Sequence, residues 1–117
     1  MSNDKDIEAM IQAKGKTAAR ITPQMIEDNI VSEQFFTAMD GATNSSLHGA
    51  DFPEALKLLT FCVLVMKNGF MVTGESACAS PENFDADIGK KIARGNAVQK
   101  IWGLMGYELR SKLSQEA

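Results

Sequence analysis

The spacing of apolar positions changes along the chain, and each change predicts a different element. Leu58 to Met66 (LLTFCVLVM) is an unbroken apolar run rich in strand-favouring residues. Continuous apolar character points to burial on both faces, so this strand is expected to be central. Lys67-Asn68-Gly69 follows, and Asn-Gly is a strong hairpin signal because both residues tolerate positive φ. Phe70 to Thr73 then predicts the returning strand. Ser80-Pro81 reads as a helix start, with the Ser hydroxyl as cap and Pro in the first turn, where its missing N–H costs nothing. From there to Leu113 the pattern is helical. Phe84, Ile88, Val98, Trp102, Met105, Leu109 and Leu113 share one stripe, with Gly95 inside it and Gly103 and Gly106 at its edge. Each glycine costs a helix about 1 kcal/mol relative to Ala. Such a cost is tolerable where another backbone packs close, or where the helix breaks near Gly103.

The N-terminal half is less regular. Asp6 to Ala13 predicts a short helix with Ile7, Met10 and Ile11 on one face, and Gly15 to Ala19 reads as a linker. Thr22-Pro23 is a second cap-and-first-turn signal, opening a helix to about Asn29 with Met25, Ile26 and Ile30 inward. Val31 to Ala38, with Phe35-Phe36, fits helix or strand. Gly41 to Asp51 is small and polar and reads as a mobile loop. There is no internal repeat. The predicted fold is a single α+β domain over residues 1–117. An antiparallel, hairpin-based sheet packs on a long C-terminal helix, with helical segments at the N-terminus and residues 1–20 as an extension.

At 117 residues the chain can bury one small core. No apolar stretch is long enough to span a bilayer and the N-terminus is polar, which predicts a cytoplasmic protein with no membrane partner. Two cysteines, Cys62 and Cys78, and one histidine, His48, are too few for a ready metal site, and a disulfide is unexpected in a reducing compartment. Charge is uneven. Residues 1–56 carry nine acidic and four basic side chains, whereas Ile88 to Lys112 holds six basic residues against one acidic, Glu108. Lys90, Lys100 and Lys112 are most simply solvated positions toward a helix C-terminus. Arg94 and Arg110 offer the planar fork that grips phosphate and stacks on bases.

No catalytic constellation stands out, and neither an enzyme nor a cofactor is expected. His48 lies in the polar loop with no nucleophile or carboxylate beside it. Glu75-Ser76-Ala77-Cys78 lacks the glycine framing of a nucleophile elbow. No phosphate loop or dinucleotide fingerprint is present. Asp85 and Asp87 read as first-turn acids favoured by the helix dipole.

Four pieces of the C-terminal half carry a family resemblance. They are Asn68-Gly69-Phe70; Glu75-Ser76-Ala77-Cys78 with Ser80-Pro81-Glu82-Asn83-Phe84-Asp85; Ile88-Gly89-Lys90-Lys91-Ile92-Ala93; and Lys100-Ile101-Trp102 with Gly106-Tyr107. Together, from Leu58 onward, they resemble the Gp-forty-nine-like family of small phage proteins, with residues 52–113 as the matching core. The resemblance extends to the Thoeris anti-defence one proteins, phage sponges that hide a cyclic ADP-ribose isomer used as a bacterial immune signal. It implies a homo-oligomer in the cytoplasm of the infected host. The ligand would be a cyclic ADP-ribose isomer, with cyclic oligonucleotides bound by some members, and no DNA or RNA polymer is expected.

A sponge needs cations or helix-start N–H groups for pyrophosphate, an aromatic surface for adenine and polar groups for ribose. Chosen by chemistry within the matched pieces, the candidates are Asn83, Phe84, Lys91, Arg94, Asn96, Tyr107 and Arg110. Each has a plainer reading. Phe84 lies on the apolar stripe and fits a core role better than base stacking. Asn83 can satisfy helix-start N–H groups. Lys91 can snorkel to water. Asn96 is unusual inside a helix, where its side chain competes for backbone bonds. A straight helix would hold Phe84 and Arg110 too far apart for one small ligand. They share a site only if the helix bends at Gly103 or if Arg110 comes from another subunit. The alternative is a small phage module that blocks a host protein through its N-terminal half.

Overall fold

The computed structural model describes residues 4–16, 18–45 and 51–116. The first helix, α1, is Asp4–Ala13; α2 is Pro23–Asn29, β1 Ile30–Thr37 and α3 Ala38–Ser45. Strands β2 (Leu59–Met66) and β3 (Met71–Ala77) form the hairpin, and α4 runs unbroken over Ala86–Glu116. The sheet is antiparallel throughout, in the order β1-β2-β3, so the apolar run is the central strand. The expected α+β fold is the one observed. The ambiguous segment from Val31 resolves as strand through Thr37, pairing with β2 from Ile30↔Met66 to Thr37↔Thr60, and Ala38 opens α3.

Two expectations are corrected, and the turn of the expected hairpin takes a specific form. Part of the predicted loop at Gly41 to Asp51 is helix, since α3 extends to Ser45; Thr37 and Asp40 cap each other at its start, N–H to side-chain oxygen in both directions. The rest of that loop, with His48, lies outside the described residues. The long helix starts at Ala86, not at Ser80. Pro81–Asn83 is a separate single 3₁₀ turn, Ser80 makes no side-chain cap, and the Asp85 carboxylate accepts from the N–H groups of Asp87 and Ile88. At the hairpin, only Gly69 takes positive φ, at 88°. Gly69 N–H donates to Met66 O at 2.8 Å and Asn68 Oδ1 accepts from Phe70 N–H at 2.9 Å. This is a tight turn closed by a left-handed glycine rather than a two-residue turn with both residues at positive φ.

The core lies between one face of the sheet and α4. Cys62, Leu64 and Met66 of β2 and Val72 of β3 meet Ala93, Ala97, Val98 and Ile101 of α4, and Ile26 of α2 closes one side. The buried helical face is thus built mainly on small residues. Gly89, Ala93 and Ala97 recur every four residues, and β3 approaches them at Gly74. A Cβ placed on Gly74 would lie 2.1 Å from the Ala93 carbonyl oxygen and 2.4 Å from the Ala97 nitrogen, so strand and helix backbones touch there. That contact rotates α4 away from its expected stripe. Val98 is buried and Trp102 and Met105 pack on the core as predicted, but Ile88 is 59% exposed. Backbone proximity at Gly74 outweighed the pull of the larger side chain.

The same rotation leaves Gly95, Gly103 and Gly106 facing outward, with nothing of the chain within 4 Å of a Cβ at any of them. The helix does not break near Gly103.

Candidate functional site

Of the seven sequence candidates, the structure places six in three groups and leaves Lys91 apart. Arg94 and Asn96 are already engaged. The Arg94 guanidinium donates from Nη1 and Nη2 to both carboxylate oxygens of Glu27 in α2, at 3.0 and 2.7 Å, and from Nε to Glu33 of β1 at 2.6 Å. These charge-assisted bonds hold Glu27 below the usual carboxylate range and raise Arg94 further above its own. One arginine therefore ties three elements together. Asn96 donates its amide to the Glu75 carbonyl at 2.8 Å. Glu75 lies on β3, an edge strand, so Asn96 covers a backbone acceptor that would otherwise face water.

Asn83 and Phe84 form the second group, just before α4. Asn83 is exposed, and Phe84 is half-buried with its ring against Gly89. Tyr107 and Arg110 form the third, far along α4; Tyr107 is 79% exposed. Lys91 is exposed between them. Among the described residues, the side chains of Lys91 and Arg110 have no hydrogen-bond or ion-pair partner. From Ala86 to Arg110 a helix rises about 36 Å. One copy of the chain therefore does not assemble Phe84 and Arg110 into a site for one small molecule. With no break near Gly103, only the route through another subunit remains of the two that the sequence left open.

A hollow that sequence reasoning did not assign lies at the tip of the hairpin. One cavity of about 210 Å³ is lined by Asn29, Met66 and Asn68 together with Phe70, Leu104, Met105 and Glu108. A wider neighbour, about 530 Å³, opens between Met71, Thr73, Lys100 and Gly103, sharing Phe70 and Leu104 with the first. Phe70 is 54% exposed. The Asn29 amide points at the sulfur atoms of Met66 and Met105, at 3.7 and 3.6 Å, which are weak acceptors. Phe70 beside Asn68-Gly69 is the available signal in the sequence, but turn chemistry alone accounts for it.

No group of three or more His, Cys, Asp or Glu residues among those described could hold a metal ion. Both cysteines are free, and burial pushes the Cys62 thiol up. No helix among the described residues is long and apolar enough to cross a membrane.

Residues 21–113 match the family described as phage protein (N4 Gp49/phage Sf6 gene 66). The chain belongs to this family. The match begins well before Leu58, where the recognisable motifs start, and it takes in α2, β1 and α3 as well as the hairpin and α4. For this phage family member, most of the N-terminal half is thus part of the shared fold, and α1 is the described helix that lies outside it. No curated protein and no solved structure matches the chain.

Proposed function

We propose that the protein binds and sequesters a cyclic ADP-ribose-type signalling nucleotide without turnover, at a site assembled between copies of the chain. The observation that carries the reading is the unbroken helix from Ala86 to Glu116. It holds two chemically suitable clusters at its opposite ends: Asn83 and Phe84 beside the start, Tyr107 and Arg110 toward the finish. An exposed tyrosine and an unpaired arginine one turn apart suit a base and a phosphate. Family membership supports a phage role, and a phage gains from removing a host immune signal. Sequestration needs affinity and abundance but no catalytic group, in keeping with the absence of a recognisable constellation in the sequence.

Calorimetric titration with the cyclic ADP-ribose isomers made by bacterial TIR enzymes tests the proposal. Heat denaturation should then return the nucleotide intact. Arg110→Ala and Tyr107→Ala should each weaken binding at least about tenfold, the loss of one charge-assisted or stacking contact. Absence of heat with every isomer would refute the proposal, and a cleaved product would refute binding without turnover.

A second reading, a module that blocks a host protein, is favoured by the sheet face turned away from α4. Phe36 and Phe61 stack there with ring centroids 5.6 Å apart, and Phe36 and Met71 are 39% and 60% exposed. A chain beginning at Phe52 would lack β1 and so would not test this. A chain beginning at Ile21 keeps the sheet, and unchanged capture of a host protein by it would remove α1 from the contact surface.

A further inference from the structure

We propose that Arg20 and Trp102 form a docking surface for an acidic helical segment of another protein, and that the chain's own α1 occupies this surface as a removable plug. Trp102 of α4 donates its indole N–H to the Asp4 carboxylate at 2.9 Å. Arg20, on the chain entering α2, donates from its two terminal nitrogens to the two Glu8 oxygens at 2.5 and 2.7 Å. Asp4 and Glu8 stand about one helical turn apart on α1. The two donors therefore read a pair of carboxylates spaced roughly 6 Å along one helix face.

The face that α1 turns toward the fold is a polar one. Asp4, Glu8 and Ile11 are its partly buried residues, at the spacing of one helix face, and the rest of the helix is exposed. A helix that belongs to a core turns its apolar stripe inward. Here Ile7 and Met10 are 46% and 57% exposed, no residue of α1 is fully buried, and none joins the core cluster. The Arg20 and Glu8 side chains stay partly open to solvent, where an ion pair contributes little. At 10 residues α1 is also too short to persist as a helix by itself in water. The family match begins at residue 21, beyond both α1 and Arg20. Charge and hydrogen bonding thus hold a helix that the core does not need.

The docked α1 is the template for the partner. A guanidinium fork and an indole N–H are donors only. A basic or wholly apolar segment would leave both unpaired, and a small free anion would reach one of the two. A helix with carboxylates one turn apart satisfies both. The tether gives α1 an effective concentration in the millimolar range, so an external segment gains the surface only by outcompeting it.

The docking surface is independent of the nucleotide site proposed above, and it is tested on the full chain without nucleotide. Trp102 is the single tryptophan, so its emission reports cover by a helix. Asp4→Lys combined with Glu8→Lys, both outside the core, should keep cooperative thermal unfolding and shift Trp102 emission to longer wavelength than in wild type. A synthetic peptide with the sequence of residues 1–16 should reverse that shift saturably. It should do so at least about tenfold below the concentration at which it affects wild type, where the tethered helix competes. The same peptide carrying Glu8→Lys should have no effect. Arg20→Glu in the full chain should shift the emission too, and should respond to a peptide carrying Glu8→Arg but not to the unaltered peptide. Unchanged emission in the variants would overturn the plug, as would loss of folding in both or an equal response of wild type and variant to the peptide. A shifted emission that no peptide reverses would overturn the docking surface.

Discussion

Arg94 and Glu27 meet fork to fork, with the two terminal nitrogens of one on the two oxygens of the other at 2.7 and 3.0 Å. The pair joins α4 to α2 across 67 positions of sequence, and Glu33 of β1 completes it. Its side chains are partly exposed, 28% for Arg94 and 46% for Glu27, so solvent weakens each bond. Arg94→Ala should therefore cost about 1–2 kcal/mol, more than an isolated surface pair because three elements are released and Glu33 loses its partner. Urea unfolding measures this. Nucleotide affinity should change less than in Arg110→Ala, since Arg94 is committed to carboxylates.

Acid should loosen the same kind of contact near the N-terminus. Glu8 accepts from Arg20 and Gln12, which hold its carboxyl down at about 2 instead of its ordinary 4.5. A carboxylate whose pKa is lower in the folded chain contributes stability above its unfolded value and loses it as pH falls through the folded one. Melting temperatures of wild type and Glu8→Gln should differ at neutral pH and converge between about pH 4.5 and 2. A difference that persists unchanged through that window would rule out the ion pair as its source.

Gly74→Ala is expected to be among the most damaging single changes. The added Cβ would lie 2.1 Å from the Ala93 carbonyl oxygen, and both neighbours are backbone that no rotamer change can move. A cost of about 3 kcal/mol or more is expected, the upper range for overpacking. Gly89→Ala should be milder, because its nearest neighbour is the Thr60 hydroxyl at 3.1 Å. Thermal unfolding of the two variants should rank them in that order.

Trp102 anchors α1 by donating its indole N–H to the Asp4 carboxylate at 2.9 Å. Trp102→Phe removes that donor while keeping an aromatic ring against the core. The loss should be about 1 kcal/mol. Hydrogen exchange should speed up in α1, with little change in β2. Equal acceleration in both would mean that the bond supports the whole core and not α1 alone.

Much of the architecture was legible from local signals. The apolar run from Leu58 to Met66 identified the central strand, Asn68-Gly69 the hairpin, and Thr22-Pro23 the start of α2, where the Thr22 hydroxyl accepts from Met25 N–H at 3.2 Å. These features depend on neighbours a few residues away. The start of α4 is not legible in the sequence because Ser80-Pro81 and Asp85 offer competing caps, and only the path of the chain selects between them. The candidate site was legible as chemistry but not as geometry. Nothing adjacent in sequence shows that Arg94 would find Glu27 and Glu33, that Asn96 would cover the edge carbonyl of Glu75, or that Phe70 would border a hollow with Asn29.

The sequence by itself determined the α+β class, the central strand and the existence of a long helix, because turn chemistry and apolar periodicity act over short range. Tertiary structure alone decided which side of that helix faces the sheet. Periodicity favoured the larger side chains. The close approach of Gly74 to Ala93 and Ala97 turned the small-residue side inward, and it left Ile88, Ile92 and three glycines outside.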